Sequence, residues 1–111
     1  MRLGLQQLAF TGIFFAFTTL ALPAASRAQD ADKIFKANCV LCHAADGSGS
    51  SPTGKALKAK DLKSDEVQKV SDADLAAVIT NGKGKMPAFG KKLKPEDITA
   101  LVHYVRDLAK K

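Results

Sequence analysis

The sequence predicts an all-α domain of about four helices. After residue 28, no segment alternates apolar and polar residues as a half-buried strand would. Two segments, 71–81 and 95–108, instead carry apolar residues at the three- and four-residue spacing of an amphipathic helix. There is no internal repeat and no linker long enough to divide the chain, so we expect one domain.

The first half of this region has the weaker helical pattern. Asp30 can cap a helix over 30–38, to which Ile34 and Phe35 give an apolar side. The following AADGSGSSPTGK (44–55) is rich in glycine and serine and is predicted to be a loop. Charges interrupt the pattern over 56–70, where either one short helix or irregular turns is expected.

The second half contains two better-defined helices. Ser71 and Asp74 have the spacing of a capping box, and Gly82 ends the helix that they begin. Pro95 opens the last helix behind Lys94, a poor capping residue, so we expect that end to fray. Its predicted core stripe consists of Ile98, Leu101, Val102, Val105 and Leu108.

The N-terminal residues have the layout of a secretory signal peptide. Arg2 precedes an uncharged apolar stretch over 8–22, and Ser26 and Ala28 are small residues at the positions that a signal peptidase recognises. The apolar stretch is shorter than the roughly 20 residues of a spanning helix, although an uncleaved anchor is the alternative. We expect a signal peptide over 1–28 and one domain over 29–111.

The composition limits the functions open to this domain. The chain's net charge of +6 becomes +4 without Arg2 and Arg27, which favours acidic partner surfaces but is too mild to indicate nucleic acid. With no Trp and one Tyr, no aromatic platform for stacking bases is present. A domain over 29–111 is also near the size at which a core built only from protein is marginal.

The segment CVLCH (39–43) contains the only two cysteines and one of the two histidines. It is compatible with a disulfide or thiol redox pair, with half of a zinc site, or with covalent haem attachment. Zinc needs about four ligands, and the other histidine, His103, lies ~150° from the stripe of the last helix and is expected to face water. Thiol redox chemistry normally follows a strand, and it leaves His43 without a role.

Covalent haem accounts for all three residues. Thioether bonds from Cys39 and Cys42 would tether one haem c, and His43 would then bind its iron as proximal ligand. The second iron ligand would be Met86, the only methionine after residue 28, in the helix-breaking segment GKGKMPAFGKK (82–92). A methionine in such a loop, followed by a proline, is not placed as a core filler.

The arrangement IFKANCVLCH…DGSG…GKMPAFG…LVHYVRDL resembles that of class I mono-haem cytochromes c, especially the short bacterial and photosynthetic-type members, over essentially the whole of 29–111. The resemblance implies a small all-α cytochrome c fold around the haem, with Phe35 and Tyr104 where the first and last helices cross. Ala31 stands where the family often has glycine, so we expect a slightly wider crossing. The resemblance also suggests that the carbonyl of Pro52 orients His43.

The function that follows is one-electron transport between periplasmic or membrane redox complexes, without enzymatic activity. Two protein ligands leave the iron no open site, and histidine with methionine raises its reduction potential. We expect an exported monomer in the periplasm, or in a thylakoid lumen, that does not bind nucleic acid or stay in the membrane. Four lysines around Met86 are expected to steer it to acidic redox partners: Lys83, Lys85, Lys91 and Lys92.

Two alternatives remain at this point. If Met86 is absent from the iron or leaves it readily, the protein would be a haem-based ligand binder or a peroxidase-like enzyme. If residues 8–22 are kept as an anchor, it would be a membrane-tethered cytochrome subunit of a larger oxidoreductase.

Overall fold

The computed structural model describes residues 12–20 and 24–111, with side chains from residue 27 onward in its first helix. The predicted n-region with Arg2, and part of the apolar stretch, lie outside these residues. Within 12–20 the chain has no regular structure and exposes large apolar side chains, Phe14 at 99%. None of the helices in the described ranges has the length and apolar character needed to cross a membrane.

The described part of the chain folds into helices, confirming the all-α prediction. Its regular elements are α1 (Ala24–Asn38), α2 (Val40–His43), α3 (Pro52–Leu57), α4 (Asp65–Gln68), α5 (Asp72–Asn81) and α6 (Pro95–Leu108). The described ranges contain six helices where about four were expected. Three of the six, α2, α3 and α4, are only one or two turns long. The one β-type pairing in these ranges is an isolated bridge between Lys83 and Met86.

Two predicted boundaries in the first half are wrong. Helix α1 begins at Ala24, so Asp30 lies inside the helix and does not cap it. The reason is the alanine-rich stretch before Asp30, since alanine has the highest helix propensity. Helix α3 begins inside the predicted loop, where the hydroxyl of Ser51 accepts a hydrogen bond from Gly54 N and Pro52 occupies the first helical position.

The helices of the second half begin as predicted. Ser71 Oγ accepts from Asp74 N at 3.1 Å, and Gly82 follows the last residue of α5. At the start of α6, the Asp97 carboxylate accepts from Lys94 N at 3.1 Å. This bond supplies the cap that the Lys94 side chain lacks, and the expectation of a frayed end overlooked it.

The crossing of α1 and α6 holds the core of the domain. Phe35 and Leu101 are each 2% exposed, and all five predicted stripe residues of α6 are buried. The rings of Phe35 and Tyr104 lie 4.8 Å apart at the crossing, as the resemblance implied. Ala31, also 2% exposed, brings a small side chain to the same crossing. The hydroxyl of Tyr104 donates to Asp32 Oδ1 at 3.0 Å and ties the two helices together on the outside.

Arg106 fastens the middle of the chain to α6. Its guanidinium donates to Gln68 O at 3.1 Å, to Val70 O at 2.5 Å and to Asp72 Oδ1 at 2.8 Å. Gln68 Nε2 in turn donates to Leu62 O at 2.7 Å. Through these bonds α6 fixes both the end of α4 and the start of α5, the helix whose other end leads to Met86.

Candidate functional site

The CVLCH segment forms one helical turn directly after α1. Cys39 N donates to Phe35 O at 2.8 Å, and His43 N donates to Cys39 O at 2.9 Å, so the turn continues the path of α1. Cys39 packs against the hydrophobic core, while Cys42 and His43 are half-buried. The turn therefore presents two thiols and an imidazole from a position that the core fixes.

The Cys39 thiol lacks the lowered pKa of a reactive redox thiol. Both cysteines are free, with no disulfide between them. Burial, with a smaller contribution from Cys42, raises the pKa of the Cys39 thiol to about 11. Reactive redox thiols have a lowered pKa, because the thiolate is the nucleophile. The shift at Cys39 has the opposite sign and weighs against thioredoxin-like chemistry.

The imidazole of His43 is oriented by a backbone carbonyl. His43 Nδ1 lies 3.0 Å from Lys60 O, and since a carbonyl can only accept, Nδ1 carries the proton. The other nitrogen, Nε2, then holds its lone pair free for a metal. The suggested role of Pro52 is wrong: Pro52 starts α3, and the acceptor is Lys60. Sequence reasoning had no signal for Lys60, because any residue supplies a carbonyl.

The segment that follows the CVLCH turn packs against it and donates hydrogen bonds to its backbone carbonyls. Ser51 Oγ donates to Leu41 O at 2.7 Å, and Gly49 N donates to His43 O at 2.8 Å. A Cβ at Gly54 would collide with Cys42 O, so only glycine lets α3 pack this closely. The segment predicted to be a simple loop thus occupies the free carbonyls at the end of α2.

Met86 lies in a tight turn that α5 supports. Lys83 and Met86 exchange two backbone hydrogen bonds of 3.1 and 3.0 Å across this turn. Gly82 has φ of +76°, and a Cβ there would lie 2.6 Å from Met86 O. Beyond Met86, Phe89 N donates to Ile79 O at 2.9 Å. The end of α5 and this second contact hold the backbone of Met86 from both sides.

The predicted site residues fall into two groups. Cys39, Cys42 and His43 share one turn, whereas half-buried Met86 is 43 residues on, in its own loop; no hydrogen bond within the described ranges joins the two. Both groups are connected to one core, since Cys39 and Ile79 of α5 pack against the same buried cluster. His103 is exposed, as predicted. The four lysines around Met86 are also exposed: Lys83, Lys85, Lys91 and Lys92.

The residues present fit a covalently held haem. Helix α5 has no buried residue, although Leu75, Val78 and Ile79 give it an apolar face. Met86 and Cys42 are likewise only half-buried. The donor set of two thiols, one imidazole and one thioether suits haem c.

Comparisons with known proteins also point to haem c as the prosthetic group. The model of the family described as "Cytochrome C oxidase, cbb3-type, subunit III" matches residues 26–105. Cytochrome c6 of Gloeothece citriformis is 38% identical over 104 residues, which are 89% of this chain and 87% of that protein. Cytochrome c6 of Nostoc sp. is 43% identical over 91 residues, covering 82% of this chain and 78% of that protein.

A solved structure described as "KustC0563 c-type cytochrome" is similar in fold. Its TM-score is 0.66 at 34% identity, and the match covers 71% of this chain and 96% of that one. The predicted resemblance, the cytochrome c fold and haem c as cofactor are thereby confirmed. This chain belongs to the class I mono-haem cytochromes c, which carry electrons on one covalently attached haem and are not enzymes.

Proposed function

We propose that this cytochrome carries single electrons between redox complexes outside the cytoplasm, with Cys39 and Cys42 holding the haem and His43 and Met86 as its axial ligands. The observation that carries the proposal is the 3.0 Å hydrogen bond from His43 Nδ1 to Lys60 O. It fixes the tautomer that leaves Nε2 as the donor, on the same turn as both thiols.

The support for Met86 comes from its backbone. Gly82 and the paired hydrogen bonds with Lys83 hold the turn, and Phe89 N anchors the next residues to α5. A weak thioether ligand benefits from such preorganisation, because the loop is ordered before the bond forms. Met86 is also half-buried, which lowers the access of competing water.

The protein contributes position, low polarity and ligand strength. When bound, the haem supplies the one-electron change between ferric and ferrous iron. Cys39 packs against the buried crossing at Phe35 and Leu101, which fixes the CVLCH turn next to an apolar core. A less polar environment disfavours the extra positive charge of the ferric state and raises the reduction potential.

Residues 1–28 are proposed to be a signal peptide, and 29–111 the working domain in the periplasm or a thylakoid lumen. The support is the exposed apolar stretch over 12–20, which contributes nothing to the core of the domain. The mass of the exported protein tests this. A chain beginning at Gln29 agrees with the proposal, whereas a retained N-terminus would favour a membrane anchor.

The lysines around Met86 are proposed to steer the protein, as a monomer, to acidic surfaces of its redox partners. Lys83, Lys85, Lys91 and Lys92 are exposed, and within the described ranges none of them forms an ion pair. Steering by exposed charges weakens when salt shortens the Debye length. The bimolecular electron-transfer rate should fall steeply with ionic strength, and a salt-independent rate would contradict steering.

A second candidate function comes from the family description. The match to a family named for subunit III of a cbb3-type oxidase favours a role as an electron-accepting subunit of a larger complex. In that case the protein would be recovered with membranes, in an assembly far larger than one chain. Recovery from the exported fraction as a monomer would exclude this candidate.

Optical spectra of the exported protein, oxidised and reduced, test the ligand assignment. We expect a low-spin reduced spectrum, with the weak sulfur-to-iron charge-transfer band when oxidised. Met86→Ala should abolish that band and allow carbon monoxide to bind, while His103→Ala, at an exposed histidine, serves as the control and should change neither. A charge-transfer band that survives in Met86→Ala would refute the assignment of Met86.

A further inference from the structure

We propose that Gly49 is a positioning residue of the haem site. It affects the reduction potential because it fixes the place of the Lys60 carbonyl, which orients the His43 imidazole. The inference rests on the proposed function, since it takes His43 as the iron ligand. No sequence pattern assigned a role to Gly49 beyond membership of a glycine-rich loop.

Gly49 contacts both partners of the hydrogen bond between His43 and Lys60. Its own amide donates to His43 O at 2.8 Å, which fixes the backbone of the ligand residue. A Cβ built on it would lie 2.6 Å from Ala59 O and 3.2 Å from Lys60 O, so the carbonyl-bearing segment passes directly over the glycine. One residue therefore determines where the imidazole and its acceptor stand relative to each other.

The backbone at Gly49 admits no ordinary side chain. Its φ is +73°, in the left-handed region that glycine adopts without strain. The neighbouring atoms are backbone carbonyls, which cannot rotate away as the end of a flexible side chain would. A Cβ at this position must therefore displace the 59–60 segment, and Lys60 O with it.

The side chain of Lys60 does not hold the carbonyl in place. Lys60 Nζ pairs with Glu66 Oε1 at 2.8 Å, but both side chains are more than half exposed. Exposed pairs of this kind contribute little to stability. The carbonyl is held by the backbone path instead, in which Ala59 N donates to Gly54 O at 2.8 Å.

The hydrogen bond affects the iron because it changes the imidazole. An Nδ1–H that donates to a carbonyl makes the opposite nitrogen a stronger donor, which stabilises ferric over ferrous iron. Displacing Lys60 O weakens this effect and favours the ferrous state. Gly49→Ala should therefore raise the reduction potential and loosen the orientation of the ring.

Gly47 offers a matched control within the same turn. Its φ is +77°, and a Cβ there would lie 2.8 Å from Leu108 Cδ1, a side-chain atom, and not near Lys60 O. Gly47→Ala therefore introduces similar backbone strain, but its close contact is with the end of a side chain and not with the segment that carries the Lys60 carbonyl. Lys60→Ala is a second control, because it removes the ion pair and keeps the carbonyl.

The experiment measures reduction potentials of the holoprotein for wild type, Gly49→Ala, Gly47→Ala and Lys60→Ala. We expect Gly49→Ala to shift the equilibrium toward the ferrous state at least threefold, which is about 28 mV at 59 mV per tenfold for one electron. The reduction potentials of both control variants should change by less than this amount. Equal shifts in Gly49→Ala and Gly47→Ala would overturn the proposal.

Two further measurements cover the cases in which Gly49→Ala does not fold. Gly49→Asn keeps the Cβ but tolerates the left-handed backbone better, so it should fold and still raise the potential. In ferrous wild type, NMR should show the Nδ1 proton of His43 shielded from exchange and coupled to the Lys60 carbonyl carbon; rapid exchange would overturn the proposal. If the ring carbons of His43 lack the large shifts of a haem ligand, the proposed function fails instead.

Discussion

The two sides of this domain reach different degrees of burial, although each contains a helix with an apolar face. Helix α6 buries its five stripe residues against α1, where Phe35 and Leu101 are each 2% exposed. Helix α5 carries an apolar face as well, yet it has no buried residue. Helix α6, the more strongly amphipathic of the two, is thus also the one whose apolar face is fully buried.

The difference separates a closely packed helix crossing from a side that is held mainly through its backbone. The α1–α6 crossing is closed by aromatic stacking, a buried aliphatic core and the bond between Tyr104 and Asp32. Around α5 and Met86, by contrast, the backbone is held by glycines and hydrogen bonds while the apolar side chains stay half-covered. The first side positions the CVLCH turn, and the second carries Met86, the proposed second ligand of the iron.

The largest expected effect comes from preventing haem attachment with Cys39→Ala and Cys42→Ala together. Because a core of this size is marginal without its prosthetic group, we expect loss of most of the ~5–15 kcal/mol that stabilises a small domain. Amide hydrogen exchange should show α5 and the Met86 turn losing protection more completely than α1 and α6. Equal protection on both sides would mean that α5 does not depend on the haem.

A second prediction concerns truncations within the two sides. Phe35→Ala should lower the free energy of unfolding of the holoprotein by about 3–5 kcal/mol, because it leaves a cavity at the crossing. Met86→Ala should cost less in stability but should abolish the charge-transfer band, which Phe35→Ala should leave in place. Denaturant titration combined with optical spectra separates the two effects. A Phe35→Ala protein of unchanged stability would show that the crossing is not the core.

The same contrast explains how far the sequence could predict the structure. The cap of α5 and the stripe of α6 are local patterns, and they were predicted correctly from residues such as Ser71 and Leu101. Helix α3 was missed although Ser51 and Pro52 carry a start signal, because the surrounding glycines and serines favoured a loop. Lys60 could not be predicted, since its carbonyl meets His43 only after the intervening chain has folded around Gly49 and Gly54.

A third prediction compares two serines that cap helices on different sides. Ser71→Ala removes one bond to Asp74 N and should cost about 1 kcal/mol. Ser51→Ala removes the equivalent bond to Gly54 N and also the bond from its hydroxyl to Leu41 O, so we expect about 2 kcal/mol. Thermal unfolding of the holoproteins measures both. Equal losses would mean that the hydrogen bond from Ser51 to the CVLCH turn does not contribute to stability.

The smallest expected effect tests the outside of the α1–α6 crossing with Tyr104→Phe, which keeps the ring beside Phe35 and removes only the hydroxyl. Burial, and then the Asp32 carboxylate, raise the pKa of Tyr104 from 10.0 to about 12, so this contribution is complete below pH 10 and is lost as pH rises toward 12. Hydrogen bonds from Lys36 and then Tyr104 lower the pKa of Asp32 below 3.8, so its contribution is present above that pH and lost as pH falls below it.

The difference in unfolding free energy between wild type and Tyr104→Phe should therefore form a plateau between about pH 4 and pH 10 and should shrink on both sides. Titrating lysines do not disturb this comparison, because both proteins contain the same ones. Chemical denaturation across the pH range measures the difference. A difference that persists unchanged well below pH 4 would show that the hydroxyl acts through packing and not through its bond to Asp32. The contact between α1 and α6 would then depend only on the paired rings of Phe35 and Tyr104 and on the aliphatic core.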